Sequence, residues 1–167
     1  PFQNGEFINV ENVWATVERV GVRSTRLRSL NGEKIVVSNT FLTNGVISNY
    51  AQMNKRRLVH RLGVVYETKI STMANIPKII EEIVDSVDNA KFDRCHFVEF
   101  GNFSLDFELV YFIPTNNYSK AMMAQQTINL EIMRKFKEEG IEFAFPTQTI
   151  NLMNNDVTKK ENGDINV

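Results

Sequence analysis

The sequence predicts the α+β fold class, with a small five-stranded β barrel followed by a β-α-β-β-α-β domain and a C-terminal strand. Three observations predict it. Short alternating runs separated by glycine turns fill the first part of the chain. Apolar residues at helical spacing occur only in two later segments. Those segments alternate with β-rich runs in the split βαβ order, so we expect a second, separate module there.

The first module is predicted from runs in which apolar and polar residues alternate, the pattern of a half-buried strand. These runs occupy residues 6–10, 13–20, 22–30, 33–38 and 46–50. Asn31-Gly32 joins the third and fourth runs and accepts the positive φ angles of a tight hairpin. A short turn or helix is expected from Ser38-Asn39 to Asn44-Gly45. Five short, turned strands are typical of a barrel of the SH3 or Sm type, in which closure removes exposed edges.

The second module begins with a strand at residues 57–66 and continues with a helix that ends near Val87. Proline lacks an amide hydrogen, so we expect this helix to start close before Pro77. Ser71, Thr72 and Asn75 are its candidate N-caps.

A hairpin of strands 95–100 and 105–113, turning at Gly101-Asn102, follows this helix. Ser119 is expected to cap a second long helix that stops at Gly140. A last strand is predicted over residues 142–152, broken at Pro146. The resulting β-α-β-β-α-β order is the ferredoxin-like arrangement.

These elements divide the chain into four parts. Residues 1–52 form the β domain, 53–145 the α/β domain, 146–152 the C-terminal strand and 153–167 a polar, flexible tail.

Composition indicates an ordinary globular protein, with 167 residues, 43% hydrophobic residues and a net charge of −1. A nucleic-acid module would more often be clearly basic. No run approaches the ~20 apolar residues of a membrane-spanning helix. The chain opens at Pro1 without an initiator methionine, so we expect an excised soluble portion of a longer protein. The single cysteine, Cys95, excludes an internal disulfide.

Catalytic and metal-binding sites are not indicated. Cys95 and His96 are adjacent and should point to opposite faces of a strand, and His60 is far away in sequence. Asp106 and Glu108 share a strand face but have no identifiable acid or base partner. We therefore expect no cofactor, no metal and no enzymatic activity.

A basic cluster lies at the predicted domain boundary and consists of Lys55, Arg56, Arg57 and Arg61. Two interpretations stay open: a solvated linker, or a site that biases which ions approach. The alternative function is an RNA-binding module of Sm-like and RNA-recognition-like domains. Its signature is weak, because Phe97-Val98-Glu99-Phe100 has aromatic residues but carries an acid and lacks the preceding glycine.

Several motifs recur in a characteristic order. In the first module they are Pro1-Phe2-x-x-Gly5-x-Phe7-Ile8, the run from Val17 to Arg28 around Gly21, and Asn31-Gly32-x-x-Ile35-Val36-Val37-Ser38-Asn39. Later come Asn49-Tyr50, Arg56-Arg57 and Phe136-x-x-x-Gly140-Ile141-x-Phe143-x-Phe145-Pro146. Over residues 1–152 the chain resembles the cytoplasmic region of the MscS-type (small-conductance) mechanosensitive channels. Glu6 and Ser38 depart from the aspartate and proline usual in that family.

The resemblance implies a homoheptamer in the cell membrane, with transmembrane helices upstream of Pro1 and this region on the cytoplasmic side. Seven copies would form a hollow cage with side openings, through which ions and small solutes reach a tension-gated pore. The basic cluster would lie near a side opening. The final strands would pair into a parallel barrel, with the residues Thr147, Gln148, Thr149, Ile150, Asn151 and Leu152. No nucleic-acid partner is expected.

Overall fold

The computed structural model describes residues 2–150; the predicted tail at 153–167 lies outside this range. The described residues form two antiparallel sheets and three helices. The strands are β1 (Phe7–Val10), β2 (Val13–Val20), β3 (Ser24–Ser29), β4 (Lys34–Ser38), β5 (Ile47–Asn49), β6 (Arg56–Val64), β7 (Lys91–Phe100) and β8 (Leu105–Ile113). The helices are α1 (Asn39–Asn44), α2 (Ile70–Ser86) and α3 (Tyr118–Glu138). The α+β class is confirmed.

The first sheet has the order β4-β3-β2-β1-β5, so all five predicted strands are present. The predicted alternation is confirmed: Ala15 and Val17 are buried, whereas Trp14 and Glu18 on the other face of β2 are exposed. The buried side chains of this sheet form one hydrophobic core, made of Ile8, Val10, Ala15, Val17, Leu27 and Leu42.

Hydrogen bonds fix the predicted helical turn between β4 and β5. The Ser38 hydroxyl accepts a bond from the Phe41 amide at 3.1 Å and caps α1. The Asn39 side chain donates to the Gly21 carbonyl at 2.9 Å and accepts from the Thr25 hydroxyl at 2.9 Å. Thr25 is thereby satisfied, although it is only 1% exposed.

The second sheet has the order β6-β8-β7, and both long helices contribute to the core on one of its faces. The predicted stripes are confirmed, since both helices bury side chains at helical spacing. The buried helix residues are Ile76, Ile79, Ile80, Ile83, Val84, Ala121, Ile128, Ile132 and Phe136. This core is separate from that of the first sheet.

The last predicted strand is much shorter than the predicted range 142–152. Phe143 forms an isolated antiparallel bridge with Val64, and the Ala144 amide donates to the Gly63 carbonyl at 2.9 Å. Pairing stops there, and Pro146 beyond it has no amide hydrogen to donate. Residues 145–150 have no regular secondary structure in the single chain.

Both helix starts differ from the prediction. Helix α2 begins at Ile70, well before Pro77, and its N-cap Lys69 makes no side-chain cap bond. The buried apolar face extends on both sides of Pro77, and this packing outweighs the loss of one backbone bond. Helix α3 is capped by Asn117, whose side-chain oxygen accepts from the Lys120 amide at 3.0 Å, and not by Ser119.

Gly140 ends α3 as predicted. Its φ angle of 67° lies in the left-handed region that glycine adopts without strain.

Candidate functional site

The four residues of the predicted basic cluster lie at the start of β6 but in three different settings. Strand alternation turns Arg57 and Arg61 to the exposed face of the second sheet, whereas Arg56 is half-buried on the other face. The sequence places these cations close together, but the pleat of the strand separates them.

Arg61 lies among carboxylates. Its guanidinium bonds Glu99 at 2.5 Å and lies 4.0 Å from Asp106, both on neighbouring strands of the same face. The bond to Glu99 raises the pKa of Arg61, so the side chain stays charged while its field is locally offset. Arg61 therefore adds little net positive potential to the surface.

Lys55 and Arg56 each contact an aromatic ring. The Lys55 ammonium lies 4.5 Å from the centre of the Phe112 ring, and the Arg56 guanidinium carbon lies 5.4 Å from that of Tyr118. Both distances suit a cation–π interaction. The Nε atom of Arg56 is buried and has no hydrogen-bond partner within the described residues.

Arg56 also lines a groove between the two sheets, which we call the junction groove. Its volume is about 780 Å³, and its lining includes Phe7, Trp14, Tyr50, Arg56 and Tyr118. Three of these rings form a cluster: Trp14 lies 5.1 Å from Tyr50 and 6.1 Å from Phe7, and Phe7 lies 6.3 Å from Tyr50. Asn116 closes one side by donating to the Ala51 carbonyl at 2.9 Å.

Sequence reasoning did not identify this groove. The available signal was Trp14, a large aromatic residue on the outward face of a strand. Its partners come from distant parts of the chain, which only the folded structure brings together.

The predicted oligomer strand is exposed where the structure describes it. Thr147, Gln148, Thr149 and Ile150 are all exposed, and Ile150 is 77% exposed. Asn151 and Leu152 lie outside the described residues. An exposed segment with apolar side chains and no sheet partner in its own chain has backbone groups free to pair with another strand.

The histidines and the cysteine occupy unrelated positions. Cys95 is buried and His96 exposed, which confirms that they point to opposite faces. Burial raises the pKa of Cys95 to about 12, so this thiol is a poor nucleophile. His60 packs on Tyr111, with 3.2 Å between its Nε2 and the phenol oxygen. Over residues 2–150 we find no group of three His, Cys, Asp or Glu side chains placed to hold a metal.

None of the helices in the described part of the chain combines the length and hydropathy needed to cross a bilayer.

Family models match both halves of the chain. The model described as "Mechanosensitive ion channel, beta-domain" matches residues 1–52, and "Mechanosensitive ion channel MscS, C-terminal" matches residues 58–143. The chain belongs to the MscS family of mechanosensitive ion channels.

Relatives and solved structures agree with this assignment. The chain is 34% identical over 153 residues to the small-conductance mechanosensitive channel MscMJ of Methanocaldococcus jannaschii, covering 91% of this chain and 44% of that protein. It is 26% identical over 167 residues to the low conductance channel YnaI of Escherichia coli, covering 98% of this chain and 48% of that protein. The chain thus spans less than half the length of these relatives.

Solved structures share the fold. MscS of Helicobacter pylori in its closed state matches with a TM-score of 0.75 at 23% identity, covering 92% of this chain and 60% of that one. MSL1 of Arabidopsis thaliana matches with a TM-score of 0.79 at 17% identity, covering 87% and 54%. None of these findings favours the RNA-binding alternative.

Proposed function

We propose that this chain is the cytoplasmic vestibule of a homo-oligomeric mechanosensitive channel that releases ions and small solutes when membrane tension rises. One observation carries the proposal: the two channel-family segments follow each other in the chain, and each coincides with one of the two antiparallel sheets. The vestibule conducts solutes without covalent chemistry, so the chain is not an enzyme.

The proposed domains are 1–52, 53–145, 146–152 and 153–167. Two separate hydrophobic cores support the division between the first two. The first sheet would close into an Sm-like barrel. The bridge from Phe143 to Val64 supports a ferredoxin-like sheet in the second domain, because it adds a fourth position beside β6.

Seven copies would assemble into the cage, with Thr147–Leu152 of each copy pairing into a shared parallel barrel. The exposure of residues 147–150, and their lack of sheet pairing within the single chain, support this assignment. Pairing between symmetry mates would satisfy backbone groups that one chain leaves open.

The basic cluster would lie near a side opening, on the cytoplasmic side of the cell membrane. Lys55 and Arg57 are its exposed members without a carboxylate partner among the described ion pairs, whereas Arg61 is ion-paired. Together with a net charge of −1 per chain, this favours weak ion selectivity.

The channel proposal is tested by patch clamp on membranes that contain the full gene product. We expect conductance that opens with applied suction and closes on release. Membranes that carry the protein at the surface yet show no tension-dependent current would contradict the proposal.

The oligomer strand is tested by two truncations of the same gene product. A stop codon after Pro146 removes the strand, and a stop after Leu152 removes only residues 153–167. We expect the first to lower the oligomer mass measured by light scattering in detergent and the second to leave it unchanged. Equal masses for both would refute the role of Thr147–Leu152.

A further inference from the structure

The junction groove has features of a ligand site that the channel function does not use. Its volume of about 780 Å³ lies within the usual range of roughly 300–1,000 Å³ for small-molecule sites. Trp14 is 41% exposed and Tyr118 is 63% exposed, so both present ring surface to solvent. Aromatic faces of this kind stack on planar ligands.

Two buried donors beside these rings lack partners. Within the described residues, the buried side-chain nitrogen and oxygen atoms without a hydrogen bond are Arg56 Nε and Asn9 Nδ2. Arg56 lines the groove, and Asn9 lies directly opposite Trp14 in the β1–β2 pair, on the same sheet face. Leaving a buried donor unpaired is costly, so such pairs of donors are typical of sites that receive an acceptor.

The charges of the groove indicate the sign of that acceptor. Arg56 is its cationic lining residue, and no carboxylate lines it among residues 2–150. The groove also lies beside the first turn of the 21-residue helix α3, where the helix dipole is positive. A ligand group with negative charge is therefore favoured over a neutral or cationic one.

We propose that the junction groove binds a small molecule that joins a planar aromatic ring to an anionic phosphate. The ring stacks in the cluster of Trp14, Tyr50 and Tyr118, and the phosphate accepts hydrogen bonds from Arg56. This assignment depends on the groove alone and does not depend on the channel proposal.

The chain contains one tryptophan, so the fluorescence of Trp14 reports directly on the groove. Adenosine monophosphate is titrated into the 167-residue chain, with adenosine and inorganic phosphate as separate probes. We expect saturable quenching by the monophosphate at concentrations up to about 1 mM, and at least tenfold weaker binding of adenosine and of phosphate.

The matched variants are Arg56→Gln and Arg57→Gln, which remove the same charge from neighbouring positions on opposite faces of β6. Arg56→Gln should weaken binding about tenfold or more, because a charged hydrogen bond is lost, whereas Arg57→Gln should leave it unchanged. Tyr118→Ala, at an exposed position, should also weaken binding and keeps the test valid if Arg56→Gln does not fold.

Four results would overturn the proposal. They are no saturable quenching, equal binding of adenosine and its monophosphate, equal loss in Arg56→Gln and Arg57→Gln, and a Trp14 signal that changes with protein concentration but not with the probes. The last would identify a second copy of the chain as the occupant.

Discussion

Phe136 connects helix α3 to the second sheet. It is fully buried and stacks on Phe143 with 5.0 Å between ring centres. Phe136→Ala should lower the free energy of unfolding by about 3–5 kcal/mol, because it removes a large buried ring and leaves a cavity. Urea denaturation of both chains measures the difference.

Phe145→Ala is the control for this change, because the same substitution falls on a residue that is 69% exposed. We expect its effect to stay within about 0.5 kcal/mol. A loss below about 1 kcal/mol for Phe136→Ala would contradict the burial described for α3.

His60 gives the fold a dependence on pH. Burial lowers its pKa below the ordinary value of 6.5, so the folded chain favours the neutral imidazole. The unfolded chain therefore binds more protons just below pH 6.5, and stability should fall as pH decreases from 6.5 through the folded pKa and level off below it.

The chain has two histidines, so the test has a matched control. His60→Gln should remove this part of the pH dependence in urea denaturation curves, whereas His96→Gln at an exposed position should retain it. Retention of the full dependence in His60→Gln would show that carboxylates cause it instead.

At the scale of elements, the start of α3 distinguishes two neighbouring cap candidates. Asn117 makes the cap bond to Lys120, whereas Ser119 lies inside the first turn. Asn117→Ala should cost about 1 kcal/mol of stability, and Ser119→Ala should cost less than about 0.5 kcal/mol. Thermal unfolding of the two variants measures this; the reverse order would mean that the helix starts later than described.

Element starts also show where the sequence pattern misleads. Pro77 predicts a helix start, but Ile76 and Ile79 on either side of it belong to one buried face. Tertiary packing of that face decides where α2 begins, and no local rule contains this information.

At the scale of the whole molecule, the charges predict the proposed channel's selectivity. Arg61 is paired with Glu99, and the net charge is −1, so permeation should discriminate weakly between anions and cations. Reversal potentials of the full gene product in salt gradients measure this ratio. Strong selectivity of either sign would contradict the prediction. Arg57→Glu should shift the reversal potential toward cations more than the exposed control Val59→Gln.

The sequence by itself determined the α+β class, the positions of the strands and the buried stripes of both helices. These follow from local periodicity, because burial of one face imposes a period of two on a strand and of 3.6 on a helix. Motif order also predicted the family, which matching models of both halves confirmed.

Only the tertiary structure decided which distant residues meet. It separated Arg56 from Arg57 by the strand pleat, paired Arg61 with Glu99 across a sheet, and assembled the junction groove from Trp14, Tyr50 and Tyr118. Such contacts depend on how two cores and their connecting segment pack, and side chains far apart in sequence leave no periodic signal of that packing.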